Sequence, residues 1–123
     1  MGTKDTTIND ASKSILMRHL TSFQDHDLEA LMSDYTNDSV LITQAETYKG
    51  VSEIGHFFAE LIKDFPKQRS TFELDKLIVH NELAYIVWHA KTPSLDIALG
   101  SDNFIIKDGK IFQQTYVNSL ELQ

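Results

Sequence analysis

The chain has 123 residues, a size that suits one domain and buries about two thirds of the unfolded surface without staples. Hydrophobic residues make up 41% and aromatics 10%, and there is no cysteine, so disulfides and thiol chemistry are excluded. Lys and Arg number 11 against 18 Asp and Glu, a net charge of −7, and the basic residues are scattered, which argues against nucleic acid and anionic membrane as partners.

The first residues, Met1-Gly2-Thr3-Lys4-Asp5, lack the apolar core of a signal peptide. No apolar run approaches the ~20 residues of a membrane span. The expected location is the cytoplasm, which the lack of cysteine suits. Residues 1–7 are expected to be frayed. Ile8, Ala11, Ile15, Leu16, His19, Leu20 and Phe23 then fall at helical spacing, predicting a helix from about Ile8 to Asp25. Asp27 can cap a short second helix carrying Leu28, Leu31, Met32 and Tyr35. Thr36-Asn37-Asp38-Ser39 breaks it, Val40–Thr43 reads as a short strand, and Gln44 to Gly50 reads as a polar loop. Ser52 can cap a third helix with Ile54, Phe57, Phe58, Leu61, Ile62 and Phe65 inward, ended by Pro66.

From Thr71 the period changes to two. Phe72 to His80 and Leu83 to Thr92 read as strands around a turn at Asn81-Glu82. Ile97 to Ile106 and Lys110 to Asn118 read as a last hairpin, for which Asp108-Gly109 is a strong signal. Helices first and an antiparallel meander last predict one α+β domain spanning 1–123. Both faces of Leu95–Ile106 carry apolar residues, so the face away from the helices needs a cover. A homodimer through the sheet, on a face bearing Ile86, Trp88, Ile97 and Leu99, would supply it.

The candidate site centres on Asp102, which shares a strand face with Ala98, Gly100, Phe104 and Ile106. A carboxylate there is costly unless paired, protonated or used. One reading is a carboxyl in an apolar cavity with a raised pKa, able to donate a hydrogen bond or carry a proton. The other is a structural aspartate tied to a nearby base or amide. His19, between Ile15 and Phe23, is either a partner in that cavity or a satisfied core histidine. Gln114 and Tyr116, sharing a face with Phe112, and His89, sharing one with Val87, are either cavity lining or exposed edge. No two of the five histidines stand at i, i+4, and HExxH, GxSxG and GxGxxG are all absent, so no metal and no cofactor is expected.

Phe23–Leu31, Tyr35–Val40, Lys49-Gly50, Asp102-Asn103-Phe104 and Asp108–Ile111, in this order, resemble the nuclear transport factor 2-like superfamily, which includes SnoaL-like polyketide cyclases and ketosteroid isomerases. The resemblance implies a cone-shaped, cystatin-like α+β fold in which a strongly curved, mostly antiparallel sheet wraps a long helix around a pocket. It also implies a dimer. Asp102 matches the aspartate of the isomerase oxyanion hole or the acid/base aspartate of the cyclases. His19 falls where the isomerases keep an oxyanion tyrosine. The isomerase base matches Thr43, with Glu46 the nearest carboxylate in the loop beyond. The expectation is a cofactor-independent isomerase, cyclase or lyase acting on a small apolar or carbonyl-containing molecule, with Asp102 and His19 catalytic. Tyr35, Phe57, Phe58, Val87, His89, Phe104, Gln114 and Tyr116 would contact the substrate. The alternative is a non-catalytic ligand-binding or dimerisation module.

Overall fold

A computed structural model describes residues 3–122. The elements are α1 (Thr3–Gln24), α2 (Leu28–Met32), β1 (Val40–Thr43), β2 (Thr47–Lys49), α3 (Gly50–Lys63), β3 (Thr71–His80), β4 (Leu83–Lys91), β5 (Leu95–Lys107) and β6 (Lys110–Leu122). Met1 and Gly2 lie outside the described residues, and α1 begins at Thr3, upstream of the expected start near Ile8. Helical hydrogen bonding continues upstream of the first apolar residue, where apolar periodicity cannot register it.

The helices begin and end for local reasons. The α1 helix closes with the Asp27 N–H on the Ser22 carbonyl at 2.9 Å and His26 in the left-handed region at φ 58°. The Asp27 carboxylate then accepts the Ala30 N–H at 3.1 Å and caps α2. Ser52 does not cap α3. The helix starts at Gly50, whose φ of 82° turns the chain directly out of β2, and the Glu53 carboxylate accepts the Lys49 N–H at 2.9 Å. The expected loop Gln44–Gly50 holds β2, which pairs antiparallel with β1 through Leu41↔Tyr48. Three residues are too few to show a period in sequence.

The six strands lie in the order β2-β1-β6-β5-β4-β3, and only β1 and β6 run parallel. Register shifts at Leu74/Lys76, Trp88/Ala90, Ile97/Leu99 and Ile105/Ile106 mark bulges, which bend strands and sharpen twist. The curved sheet wraps α1 and α3 without closing into a barrel.

Register fixes the two faces. Trp88 opposes Gly100, Ile86 opposes Asp102 and Ala84 opposes Phe104, so the even residues of β4 and β5 look inward together. Ile97 joins them because the bulge at Ala98 shifts the parity, and it is buried. The core gathers Leu16, Leu31, Leu41, Ile54, Ile86, Ile97, Phe104 and Ile111 between helices and sheet. The expected dimer face is therefore corrected: Ile86, Trp88 and Ile97 belong to the core, and Leu99 alone of that set faces outward. The outer face instead carries Ile42, Ile78, Leu83, Leu99 and Val117, all exposed. No helix among the described residues is long and apolar enough to cross a membrane.

Candidate functional site

Asp102 sits at the middle of β5 on the inner face, 7% exposed. Two strands and one helix end converge on it. From β4, the Trp88 indole N–H donates to Asp102 Oδ1 at 2.9 Å. From β6, the Gln114 amide donates to Asp102 Oδ2 at 2.8 Å. The Tyr35 hydroxyl, just beyond α2, donates to the Gln114 Oε1, which fixes which way that amide points.

Gly100 makes room for the indole. A Cβ at Gly100 would lie 2.3 Å from Cε2 and Cζ2 of Trp88, a distance no side chain tolerates. The ring lies across the bare backbone of the opposing strand and is stacked between Phe72 at 5.2 Å and Tyr116 at 6.0 Å.

The electrostatics follow from burial. Desolvation raises the Asp102 pKa to about 6, although the donors Trp88 and Gln114 pull it down. Burial lowers His19 to about 4. Burial, then the charges of Asp102 and Asp34, hold the Tyr35 hydroxyl well above its ordinary value. Tyr116 is pushed up to about 12 by burial, against the hydrogen bond its hydroxyl accepts from Asn118 at 2.7 Å. At neutral pH the site therefore holds one mostly ionised carboxylate, one neutral imidazole and two neutral phenols.

His19 and Asp102 both line a cavity of about 50 Å³ walled mainly by apolar side chains, Phe58, Phe104, Ile86 and Leu61 among them. Both ends of the expected carboxyl–imidazole pair are in place, but no hydrogen bond joins them. The Asp102 oxygens go to Trp88 and Gln114. His19 instead meets the rings of Phe104, Phe58 and Tyr35 at 5.4, 5.7 and 5.9 Å, and its buried Nδ1 has no hydrogen-bond partner among the described residues.

The other expected contact residues divide. Phe58, Phe104, Gln114 and Tyr116 line the cavity. Tyr35 stands behind the wall and holds Gln114. Phe57 packs on Tyr48, Phe58 and Tyr116 outside the cavity. Val87 and His89 are corrected: they lie on the odd, outer face of β4, where His89 Nδ1 meets Asp75 at 2.8 Å. Phe112 also leaves the face of Gln114 and Tyr116, because it is the unpaired extra residue of a bulge between Ile111 and Gln113.

Two residues outside the expected site matter most: Trp88, expected on the open face, and Phe72, expected in a strand with no part in the site. The signal for Trp88 was the pairing of a large ring with a glycine on the next strand, visible only once register is known. Thr43 is no base. Its hydroxyl donates to the Glu46 carbonyl at 3.2 Å and accepts the Ala45 and Glu46 N–H groups, closing the β1–β2 turn, while Glu46 is exposed. Among the described residues Asp102 is the one carboxylate lining the cavity. No three His, Asp or Glu side chains among them converge as a metal site would need.

Residues 16–114 match the profile of the SnoaL-like domain. No curated protein is significantly similar to the chain. Solved structures are similar in fold. A nuclear transport factor 2-like protein of unknown function from Mesorhizobium loti superposes with a TM-score of 0.75 at 18% identity, over 90% of this chain and 93% of that one. A candidate ketosteroid isomerase from Kribbella flavida gives 0.75 at 11% identity, over 90% and 79%. A candidate polyketide cyclase from Sinorhizobium meliloti gives 0.72 at 19% identity, over 84% and 93%. At such identities the likeness establishes the fold and leaves activity to the site.

Proposed function

This chain belongs to the SnoaL-like domain family, and from that membership and the chemistry of its cavity we propose that it is a cofactor-independent enzyme moving a proton on a small carbonyl compound. The observation that carries this is Asp102: a buried carboxyl held by two neutral N–H donors and open to an apolar cavity. Each oxygen of a carboxylate keeps a further acceptor position beyond the one donor it meets here.

The reading is a one-base mechanism. The ionised Asp102 takes a proton from carbon next to the carbonyl, and the electron pair moves to the carbonyl oxygen. The neutral His19 imidazole donates to that oxygen as charge develops. Asp102 then returns the proton to another carbon, which gives isomerisation; to a leaving group, which gives elimination; or to the alkoxide formed when the enolate carbon attacks a second carbonyl of the same molecule, which gives cyclisation. A cavity of about 50 Å³ suits a few carbon atoms and not a steroid.

Proton exchange tests it. Small ketones such as butanone and cyclopentenone, incubated in deuterium oxide and followed by NMR, should lose their exchangeable protons faster with the protein. Asp102→Asn should remove roughly 100-fold or more of that rate. Exchange at full rate in the variant would sink the assignment.

A second reading has its own support: both Asp102 oxygens already have donors, and no second carboxylate among the described residues lines the cavity. The domain would then bind a small molecule without transforming it, and Asp102→Asn should lower the melting temperature sharply. A catalytic carboxyl predicts no loss or a gain. In either reading a homodimer would cover the outer face through Ile78, Leu99 and Val117. Light scattering should give twice the chain mass, and Val117→Lys should halve it.

A further inference from the structure

We propose that the cavity beside Asp102 is the inner half of a longer site, and that its ligand is a small oxo acid whose uncharged carbonyl end points inward while its carboxylate rests outside at Lys67. The proposal rests on the reading of the inner cavity as a ligand site and adds the ligand's class and orientation.

A second hollow of about 410 Å³ opens between the end of α1 and the connection from α3 to β3. Phe23, Gln24 and Phe72 line both spaces, so the two adjoin at these side chains. Their chemistry differs. The inner space is walled mainly by apolar side chains, whereas Gln24, His26, Lys67, Gln68 and Ser70 bring polar groups to the outer one. Some of these are committed: His26 Nε2 meets the Phe65 carbonyl at 2.6 Å, and the Ser70 hydroxyl donates to the Pro66 carbonyl at 2.8 Å. The Lys67 ammonium has no ion pair among the described residues.

Charge sets the orientation. The chain has 18 acidic residues against 11 basic ones, yet no carboxylate among the described residues lines the outer hollow, and Lys67 is the fixed charge there. The inner cavity has the reverse, a carboxylate with no cation on its walls. An anionic group driven inward would meet Asp102 in low dielectric and be repelled. The same group at the mouth meets an ammonium. The backbone holds that mouth in shape: His26 and Gln68, at φ 58° and 66°, are two non-glycine residues in the left-handed region, and both line it.

Trp88 supplies the readout. It is the sole tryptophan, lines the inner cavity and stacks on Phe72, which lines both spaces. Its fluorescence should respond saturably to 5-oxohexanoate. The uncharged 5-oxohexanamide should bind roughly three- to fivefold more weakly, the size expected of one exposed ion pair. Lys67→Gln should make the two bind alike, and high salt should narrow the gap in the wild type. Equal binding of acid and amide by the wild type overturns the proposal. So does an acid preference that survives Lys67→Gln, or no saturable response to the acid at millimolar concentration. The test separates from that of Asp102 chemistry. If Asp102→Asn keeps both proton exchange and the acid preference, the catalytic reading fails and this one stands.

Discussion

Two regions of this protein each hold a buried aspartate, and they hold it in opposite ways. Asp34, beyond α2, is fully buried and faces Arg18 from α1, with Nε at 2.9 Å and Nη2 on the same Oδ1. Its backbone carbonyl accepts the Ile111 N–H at 2.7 Å, which ties the helical layer to β6. Asp102 has no cationic partner among the described residues. It has an indole and an amide, both neutral. A guanidinium offers its partner a full opposite charge in a fixed fork geometry. Neutral donors only part-compensate burial and leave Asp102 able to change charge near pH 6. The first arrangement suits structure, the second chemistry.

The contrast can be broken most directly at Arg18. Arg18→Ala takes a half-exposed guanidinium from a buried carboxylate and should cost about 2–3 kcal/mol in urea denaturation. Trp88 fluorescence, followed against pH, should report the ionisation of Asp102 with a midpoint near 6, and Arg18→Ala should leave that midpoint unchanged. A cost under about 1 kcal/mol would erase the distinction between the two aspartates.

The pH dependence of stability sharpens it. Asp102 has its pKa raised from 3.8 to about 6, so its contribution is present below pH 3.8 and lost as pH rises through 6. His19 has its pKa lowered from 6.5 to about 4, so its contribution is present above pH 6.5 and lost as pH falls through 4. Each amounts to about 3 kcal/mol, and they oppose each other over nearly the same window. The wild type should be nearly flat between pH 4 and 6.5. Asp102→Asn should gain stability with rising pH across that window, and His19→Gln should lose it. Urea midpoints at the two ends measure all three slopes, and parallel slopes in the two variants would refute the opposition.

Gly100 gives a smaller effect. Gly100→Ala should displace the Trp88 ring and cost about 1–3 kcal/mol of overpacking. The fluorescence midpoint near 6 should shift or vanish as the indole leaves Asp102. Smallest is the outer face. His89→Ala removes an exposed contact with Asp75 and should leave both the melting temperature and the titration unchanged.

Much of this was legible in the chain. Alternation and helical period announce residues that touch the core, so three helices and the two C-terminal hairpins could be read. Asp102 stood out because a carboxylate among Gly100, Phe104 and Ile106 contradicts its own neighbours. His19 stood out in the same way within α1. Hidden were β2, whose three residues show no period, and the α3 start, set by a left-handed Gly50 and not by Ser52.

The sequence by itself determined which residues form helices and strands, and which carboxyl would be costly to bury. Those are properties of one segment and its own period. Only the tertiary structure decided which sheet face is which. Cross-strand register seats Trp88 opposite Gly100 on the face of Asp102 and leaves Val87 and His89 outward, while a bulge at Ala98 shifts the parity that brings Ile97 in. Register then laid the indole over Gly100 and onto Asp102, and burial shifted Asp102 and His19 apart from their ordinary values. Both effects depend on atoms far apart in the chain, and no local pattern encodes them.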